Sequence, residues 1–254
     1  MPAATVVVPC YQEADRLEPD RLAALAEVDG IELVLVDDGS TDGTLAILRS
    51  LADATPAITV LPLPENVGKA EAVRRGLLLA IDSGARLVAY YDADLSTPPA
   101  ELVRLVETLA GRDELDVVMA ARVALLGRRI ERRAYRHYLG RVFATFASLS
   151  LGLPVYDTQC GAKALRVTPA LEAALGSPFR SRWAFDVELL ARLLYPASET
   201  APVPADAIIE VPLRAWHDTA GSKLGPTAMG RAVLELAVIT RTIRRTPSFR
   251  RRHG

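Results

Sequence analysis

The segment YYDADLSTPP, Tyr90 to Pro99, sets Asp92 and Asp94 two residues apart at the end of an apolar run. At strand spacing their side chains can lie on the same side of the chain. Paired hard carboxylates with open positions suit Mg2+ or Mn2+, whose other ligands would be waters and phosphate oxygens. Zinc does not fit, because the chain has no Cys/His set. The plain alternative is two solvated loop acids. A second acidic segment, VDDGSTDGT (Val36 to Thr44), ends another apolar run with Asp37 and Asp38. A charge there is costly without a partner, and a base or ribose would be one. Helix capping accounts for Ser40 and Asp42, with Gly39 and Gly43 in the turn, but does not require the Asp37–Asp38 pair. VPCYQE, Val8 to Glu13, offers a proline, an aromatic ring and a carboxylate that can receive a nucleobase, or simply turns the chain beside a surface glutamate. ENVGKAEAVRRG, Glu65 to Gly76, puts Gly68 and Lys69 at a helix start, where anions are favoured. It lacks P-loop spacing, so a kinase or ATPase reading fails.

These segments need elements to hold them. Strands are expected at Thr5–Val8, Ile31–Val36, Ile58–Leu61, Leu87–Tyr91 and Val117–Ala120, several of them continuous apolar runs of the kind covered on both faces. Helical patterns lie between them, around Arg21–Glu27, Thr44–Ala52, Lys69–Ile81 and Pro99–Ala110. The alternation predicts an α/β fold with a mainly parallel sheet. Ligands then sit beyond the carboxyl ends of the strands, where all four segments fall. From Arg122 the pattern is helical and arginine-rich to about Leu151, followed by a polar turn, YDTQCGAK. Further helices are expected at Phe185–Leu194 and Pro226–Arg245, with a strand at Ile208–Val211. One catalytic domain over 1–225 is expected, in halves 1–121 and 122–225, followed by an amphipathic helix and basic tail over 226–254.

The 254 residues are 50% hydrophobic and 24% charged, which excludes disorder, collagen-like repetition and a disulfide scaffold. Cys10 and Cys160 lie far apart, consistent with a reducing, cytosolic setting. No signal peptide is read at the N-terminus, and Val142–Tyr156 is too short an uncharged stretch to span a bilayer. The net charge of -1 conceals seven arginines against one acid between Arg122 and Arg141, and six arginines without an acid between Arg241 and Arg252. Such blocks point to phosphate groups or a lipid surface, or to solvated helical faces. The acidic remainder and the absence of a nucleic-acid motif count against nucleic acid.

In this order the four segments resemble the family-two glycosyltransferases of the A-type nucleotide-sugar fold. YDTQCGAK, WAFDVELL (Trp183 to Leu190) and VPLRAWHDTAGSK (Val211 to Lys223) resemble the polyprenyl-phosphate branch, the dolichyl-phosphate glucosyl- and mannosyltransferases. The resemblance covers about residues 4 to 225. It implies that Pro9, Tyr11, Glu13, Val36 and Asp38 hold the donor nucleoside, with Lys69 near its phosphates. Asp92, Ala93 and Asp94 would hold the diphosphate and an Mg2+ or Mn2+ ion. Arg122, Arg133, Arg136, Gln159 and Lys163 would receive the acceptor phosphate, and His217 and Lys223 the donor phosphates. Ser96 and His217 stand where archaeal mannosyltransferases carry glutamine and arginine. The donors implied are UDP-glucose or GDP-mannose, with QCGAK and FDVELL closer to the glucosyl branch.

Catalysis would centre on Asp94, Lys223 and Asp186. A departing diphosphate needs its charge stabilised, which metal and cations supply. A hydroxyl acceptor needs a general base, for which Asp186 is the candidate. A phosphate acceptor is already anionic and needs cationic positioning, which the arginines match. Asp186 would then be a positioning residue or a buried polar anchor, and direct attack would invert the sugar. The leading expectation is hexose transfer to a polyprenyl phosphate, by a protein lying peripherally on the cytosolic face of the membrane. RRIERRAYRHYLGRVFATFASLSLG would lie in the lipid interface, or would be an ordinary amphipathic core helix. A soluble transferase with a hydroxyl acceptor is the rival. A sugar-nucleotide pyrophosphorylase would need a Gly-rich loop with arginine and lysine after the first strand, which VPCYQE lacks. A non-catalytic binding protein would have no use for the intact Asp92/Asp94 pair.

Overall fold

Alternating apolar residues of the first strands feed two cores, one on each face of a central sheet. Val6, Val8, Leu33 and Leu35 pack on one side and Val7, Val34 and Val36 on the other. A computed structural model describes residues 4–131, 134–197, 199–217, 226–246 and 249, with side chains for all of these except 131–137, 139 and 226–233. The strands are β1 (Ala4–Cys10), β2 (Ile31–Asp37), β3 (Ile58–Pro62), β4 (Leu87–Tyr91), β5 (Val117–Ala121), β6 (Arg129–Glu131), β7 (Ala162–Arg166), β8 (Ile208–Pro212) and β9 (Ala215–His217). The helices are α1 (Pro19–Ala26), α2 (Thr44–Ala54), α3 (Lys69–Asp82), α4 (Pro99–Ala110), α5 (Ala134–Leu151), α6 (Pro169–Leu175), α7 (Phe185–Leu194) and α8 (Pro226–Ile243).

The seven-stranded sheet runs β3-β2-β1-β4-β7-β5-β8, and β6 pairs with β9 in a small second sheet. Every pairing in the large sheet is parallel except those of β7, which is antiparallel to both β4 and β5. Helices α1, α2 and α4 cover one face, and α3 with α5–α8 the other. Helix α3 lies so close to β1 and β2 that a Cβ at Gly76 would come 2.9 Å from Val36 Cγ2 and closer still to Val7.

The reversal of β7 matters for function. Tyr91, the last residue of β4, pairs with Ala162, the first of β7. The loop 156–161 is thereby delivered to the same edge as the parallel strands' carboxyl ends.

Two expectations are corrected and one helix is added. YDTQCGAK is not wholly a turn, since Ala162 and Lys163 begin β7. The stretch from Arg122 is not continuously helical: it leads into β6, which pairs Arg129 with Ala215 and Ile130 with Trp216, and α5 starts only at Ala134. Helix α6 was not anticipated, although Thr168 caps it by accepting from the Leu171 amide and Pro169 opens it.

Candidate active site

Buried Asp38 organises the end of β2. Its Oδ1 accepts from the Val67 amide at 2.8 Å, and its Oδ2 from the Gly68 amide at 2.9 Å and Asn66 Nδ2 at 3.0 Å. Burial holds this carboxyl above the usual aspartate range against the pull of those amides. Asp38 thus fixes the loop that opens α3. Its neighbour Asp37 is equally buried, and its Oδ1 has no hydrogen bond among the described residues. At the end of β1, Pro9 is partly covered, Tyr11 is exposed, and Val36 on β2 is buried beside them. Glu13 pairs with Arg16 at 2.6 Å through Oε1, while its buried Oε2 has no hydrogen bond among the described residues. Burial raises the Glu13 carboxyl, Arg16 opposes, and Asp94 adds to the rise, which puts the ends of β1 and β4 in electrostatic contact.

Asp92 and Asp94 follow β4. Lys69, the first residue of α3, brings its Nζ within 2.5 Å of Asp92 Oδ1. Burial works against the lysine's charge, but Asp92 and Asp186 outweigh it and hold the ammonium above the usual lysine range. Asp92 is raised by burial, lowered by Lys69 and raised again by Asp94. Asp94 Oδ1 accepts from the Ser96 amide at 3.0 Å. Between them Leu95 takes a left-handed φ of 49°, a strained setting for a bulky residue that turns the chain back at this point. Ala93 is buried in that turn. The His217 amide donates to the Ser96 carbonyl at 3.0 Å, so β9 lies alongside the same loop.

The donor set fits a hard divalent cation. No group of three or more His, Cys, Asp or Glu converges among the described residues. Magnesium-type sites, however, commonly use one or two carboxylates and take their other ligands from substrate phosphates and water. Burial is the main cause of the rise at Asp92, opposed by Lys69, and Asp94 adds a smaller contribution of like charge.

The second half packs against this edge. The Arg122 guanidinium grips Asp157 through two hydrogen bonds of 2.6 and 2.8 Å, and lies 5.3 Å from the Trp216 ring centroid. Glu210 of β8 accepts from the Tyr156 and Asp157 amides, both at 2.7 Å, and so anchors the loop 156–161. In that loop Thr158 Oγ1 and Gln159 Nε2 are buried without hydrogen bonds among the described residues. The Gly161 carbonyl accepts from the Asp92 amide at 2.9 Å.

Lys163 does not stand among these loop groups. It is buried in the core, donating to Asp186 Oδ1 at 2.6 Å and to the Cys160 carbonyl at 2.8 Å. Tyr90 OH donates to the same Asp186 oxygen. Asp186 is therefore a buried anchor in the first turn of α7. Arg133 and Lys223 lie outside the described residues, as does the Arg136 side chain.

Sequence reasoning had not assigned Asn66, Tyr90, Asp157 or Gly161. Gly161 carried a signal, since a glycine beside a strand often marks close backbone approach. The others are defined only by partners distant in sequence. A cavity of about 540 Å3 lies elsewhere, between α6, α7 and α8, lined by Ala174, Ala191, Tyr195, Leu234 and Val238 among others.

The sequence profile described as glycosyl transferase family 2 matches residues 5–172. The chain is 30% identical over 248 residues to a dolichyl-phosphate beta-glucosyltransferase of Trichomonas vaginalis, covering 92% of this chain and 70% of that one. It is similar in structure to glucosyl-3-phosphoglycerate synthase from Mycobacterium tuberculosis in complex with Mn2+, UDP and glucosyl-3-phosphoglycerate, with a TM-score of 0.68 and 23% identity over 94% of this chain and 80% of that one. A mannosyltransferase from Pyrobaculum calidifontis in complex with GDP-Man and Mn2+ gives a TM-score of 0.59 and 24% identity, over 97% of this chain and 66% of that one. These two structural likenesses speak to the fold.

Proposed function

The chain belongs to glycosyl transferase family 2, and on that footing we propose that it transfers a hexose from a nucleoside diphosphate sugar to a polyprenyl phosphate at the cytosolic surface of a membrane. The relative named as a dolichyl-phosphate beta-glucosyltransferase supports the acceptor class, and with it glucose as the sugar.

The observation that carries the acceptor class is the state of Asp186. A hydroxyl acceptor requires a base free to take its proton. Asp186 is buried, and one of its oxygens already receives Tyr90 and Lys163. A phosphate monoester is an anionic nucleophile near neutral pH and needs no such base. The site then has to orient two anions and tolerate the charge of the departing diphosphate.

In this reading the donor nucleoside lies over the ends of β1 and β2, against Pro9, Tyr11, Glu13, Val36 and the Asp37–Asp38 pair. Asp94, with Asp92, would hold an Mg2+ or Mn2+ ion, which when bound supplies Lewis-acid stabilisation of the leaving diphosphate. Lys69 at the start of α3 adds a fixed positive charge beside it. The donor phosphates are assigned to His217 and Lys223, of which only His217 lies among the described residues. Arg122, held rigid by Asp157, would receive the acceptor phosphate together with Gln159, a role that Arg133 and Arg136 would share. Attack by the acceptor phosphate opposite the diphosphate inverts the anomeric centre.

Membrane contact is supported by the outer surfaces of α5 and α8. Tyr138, Val142, Phe146 and Leu149 on α5 and Leu234 and Val238 on α8 are exposed. The two helices touch, with Thr240 Oγ1 donating to Ser150 Oγ at 2.7 Å. No helix among the described residues is long and apolar enough to cross a membrane. An interfacial apolar surface followed by arginines suits adsorption to anionic lipid.

The test compares polyprenyl phosphate with the matching polyprenol in detergent, using a labelled donor. Label is expected on the phosphate alone. Equal labelling of the alcohol would overturn the acceptor assignment.

A further inference from the structure

Glu235 of helix α8 reaches the loop that leads into α7. Glu235 Oε2 accepts from the Trp183 amide at 3.1 Å, from the Ala184 amide at 3.0 Å and from Ser181 OH. Ala184 is the N-cap of α7, and its own side chain provides no cap. The first amides of a helix need acceptors, and here another helix supplies one.

The loop 180–184 is gripped on its other sides too. Glu188 accepts from the Ser181 amide at 2.8 Å and the Arg180 amide at 3.2 Å. Trp183 packs edge-on against Phe143 of α5, with centroids 5.4 Å apart. Arg182 donates at 3.2 Å to the Val67 carbonyl, in the loop that Asp38 fixes. The residues immediately following are Phe185, whose ring centroid lies 5.9 Å from Lys69 Nζ, and Asp186, which pairs with Lys163. A short path therefore leads from α8 through the start of α7 to the Lys69–Asp92 pair.

We propose that Glu235 is a positioning residue for the transfer reaction, holding the N-terminus of α7 so that Phe185 and Asp186 set Lys69 against Asp92. The inference rests on the proposed function for its reaction, and makes α8 part of the catalytic unit rather than an appendage to it. Leu236, Ile239 and Ile243 bury one side of α8 in the core while Leu234 and Val238 face outward. The helix that carries Glu235 thus also carries part of the surface assigned to the membrane.

The test uses the full chain with Glu235→Ala and Glu235→Gln. The Gln oxygen can still accept the Trp183 and Ala184 amides. In Glu235→Ala, hydrogen exchange over residues 181–186 should accelerate and kcat fall about tenfold or more, a size expected for a small misplacement of reacting groups. Calorimetric affinity for the free nucleoside, which carries no phosphate, should stay within about twofold, because Asp38 and the β1–β2 end are untouched. Glu235→Gln should recover most of the rate. Accelerated exchange with wild-type kcat would overturn the proposal, as would equal rate losses in the Ala and Gln variants. Donor hydrolysis by water is followed in the same samples. A wild type that hydrolyses donor but ignores polyprenyl phosphate would sink the acceptor reading, while the hydrolysis rates of the variants would still decide the role of Glu235.

Discussion

A side chain at position 161 would occupy the space of the Asp92 carboxylate. An added Cβ would come 2.8 Å from Asp92 Oδ1 and overlap Oδ2 and Cγ. The Asp92 amide donates to the Gly161 carbonyl, so backbone and side chain of the two residues are locked together. The loop before β7 therefore sets where the first carboxylate of the pair points.

Gly161→Ala is expected to displace that carboxylate and reduce turnover about 100-fold, the scale of a misplacement near 1 Å, while the far-ultraviolet circular dichroism is retained. Wild-type turnover in this variant would show that Asp92 has slack that the geometry denies.

Lys69→Met removes the counter-charge 2.5 Å from Asp92 Oδ1. A partly exposed cation beside the donor diphosphate is worth near 1 kcal/mol rather than several, which converts to roughly fivefold weaker donor binding. Titration calorimetry with a nucleoside diphosphate and Mn2+ checks this. An unchanged Kd would mean that the lysine serves only the apo state.

Much of this was legible in the sequence, and the remainder has physical reasons. β1, β2 and β4 declared themselves as apolar runs because both their faces are buried. β7 did not, because AKALR carries Lys163 and Arg166. Lys163 is tolerated in the core only through Asp186 and the Cys160 carbonyl, partners that no local pattern announces. The same lysine was therefore read as a phosphate ligand. Arg122 was read for its charge, but the Asp157 that holds it lies 35 residues on. β6 and β9, three residues each, exist only through their pairing.

Asp38→Asn should destabilise the fold by about 1–3 kcal/mol, since an amide nitrogen would face donors that the carboxylate now accepts. The pH dependence has a definite sign. Burial raises the Asp38 carboxyl above its ordinary 3.8, so the folded protein holds this proton more tightly than the unfolded chain. That contribution is fully present below the ordinary value and is lost as pH rises through the raised one. Asparagine does not titrate. The deficit of the variant, measured by denaturant unfolding, should grow on going from neutral pH to about pH 4. A deficit that shrinks on acidification would contradict the burial argument.

Val142→Asp combined with Leu149→Asp places two charges on the outer face of α5, where Val142 is 52% and Leu149 74% exposed. Co-sedimentation with anionic vesicles should fall several-fold, with transfer to a short-chain, detergent-dispersed acceptor retained. Vesicle binding equal to wild type would move the membrane surface elsewhere.

Hexose transfer to a lipid phosphate is decided by incubating the protein with Mn2+, polyprenyl phosphate and either labelled UDP-glucose or labelled GDP-mannose, then counting the organic phase. Label is expected there from UDP-glucose, and is expected to vanish in Asp94→Ala. Donor consumption without any label in the organic phase would contradict it and redirect the reaction to a water-soluble acceptor.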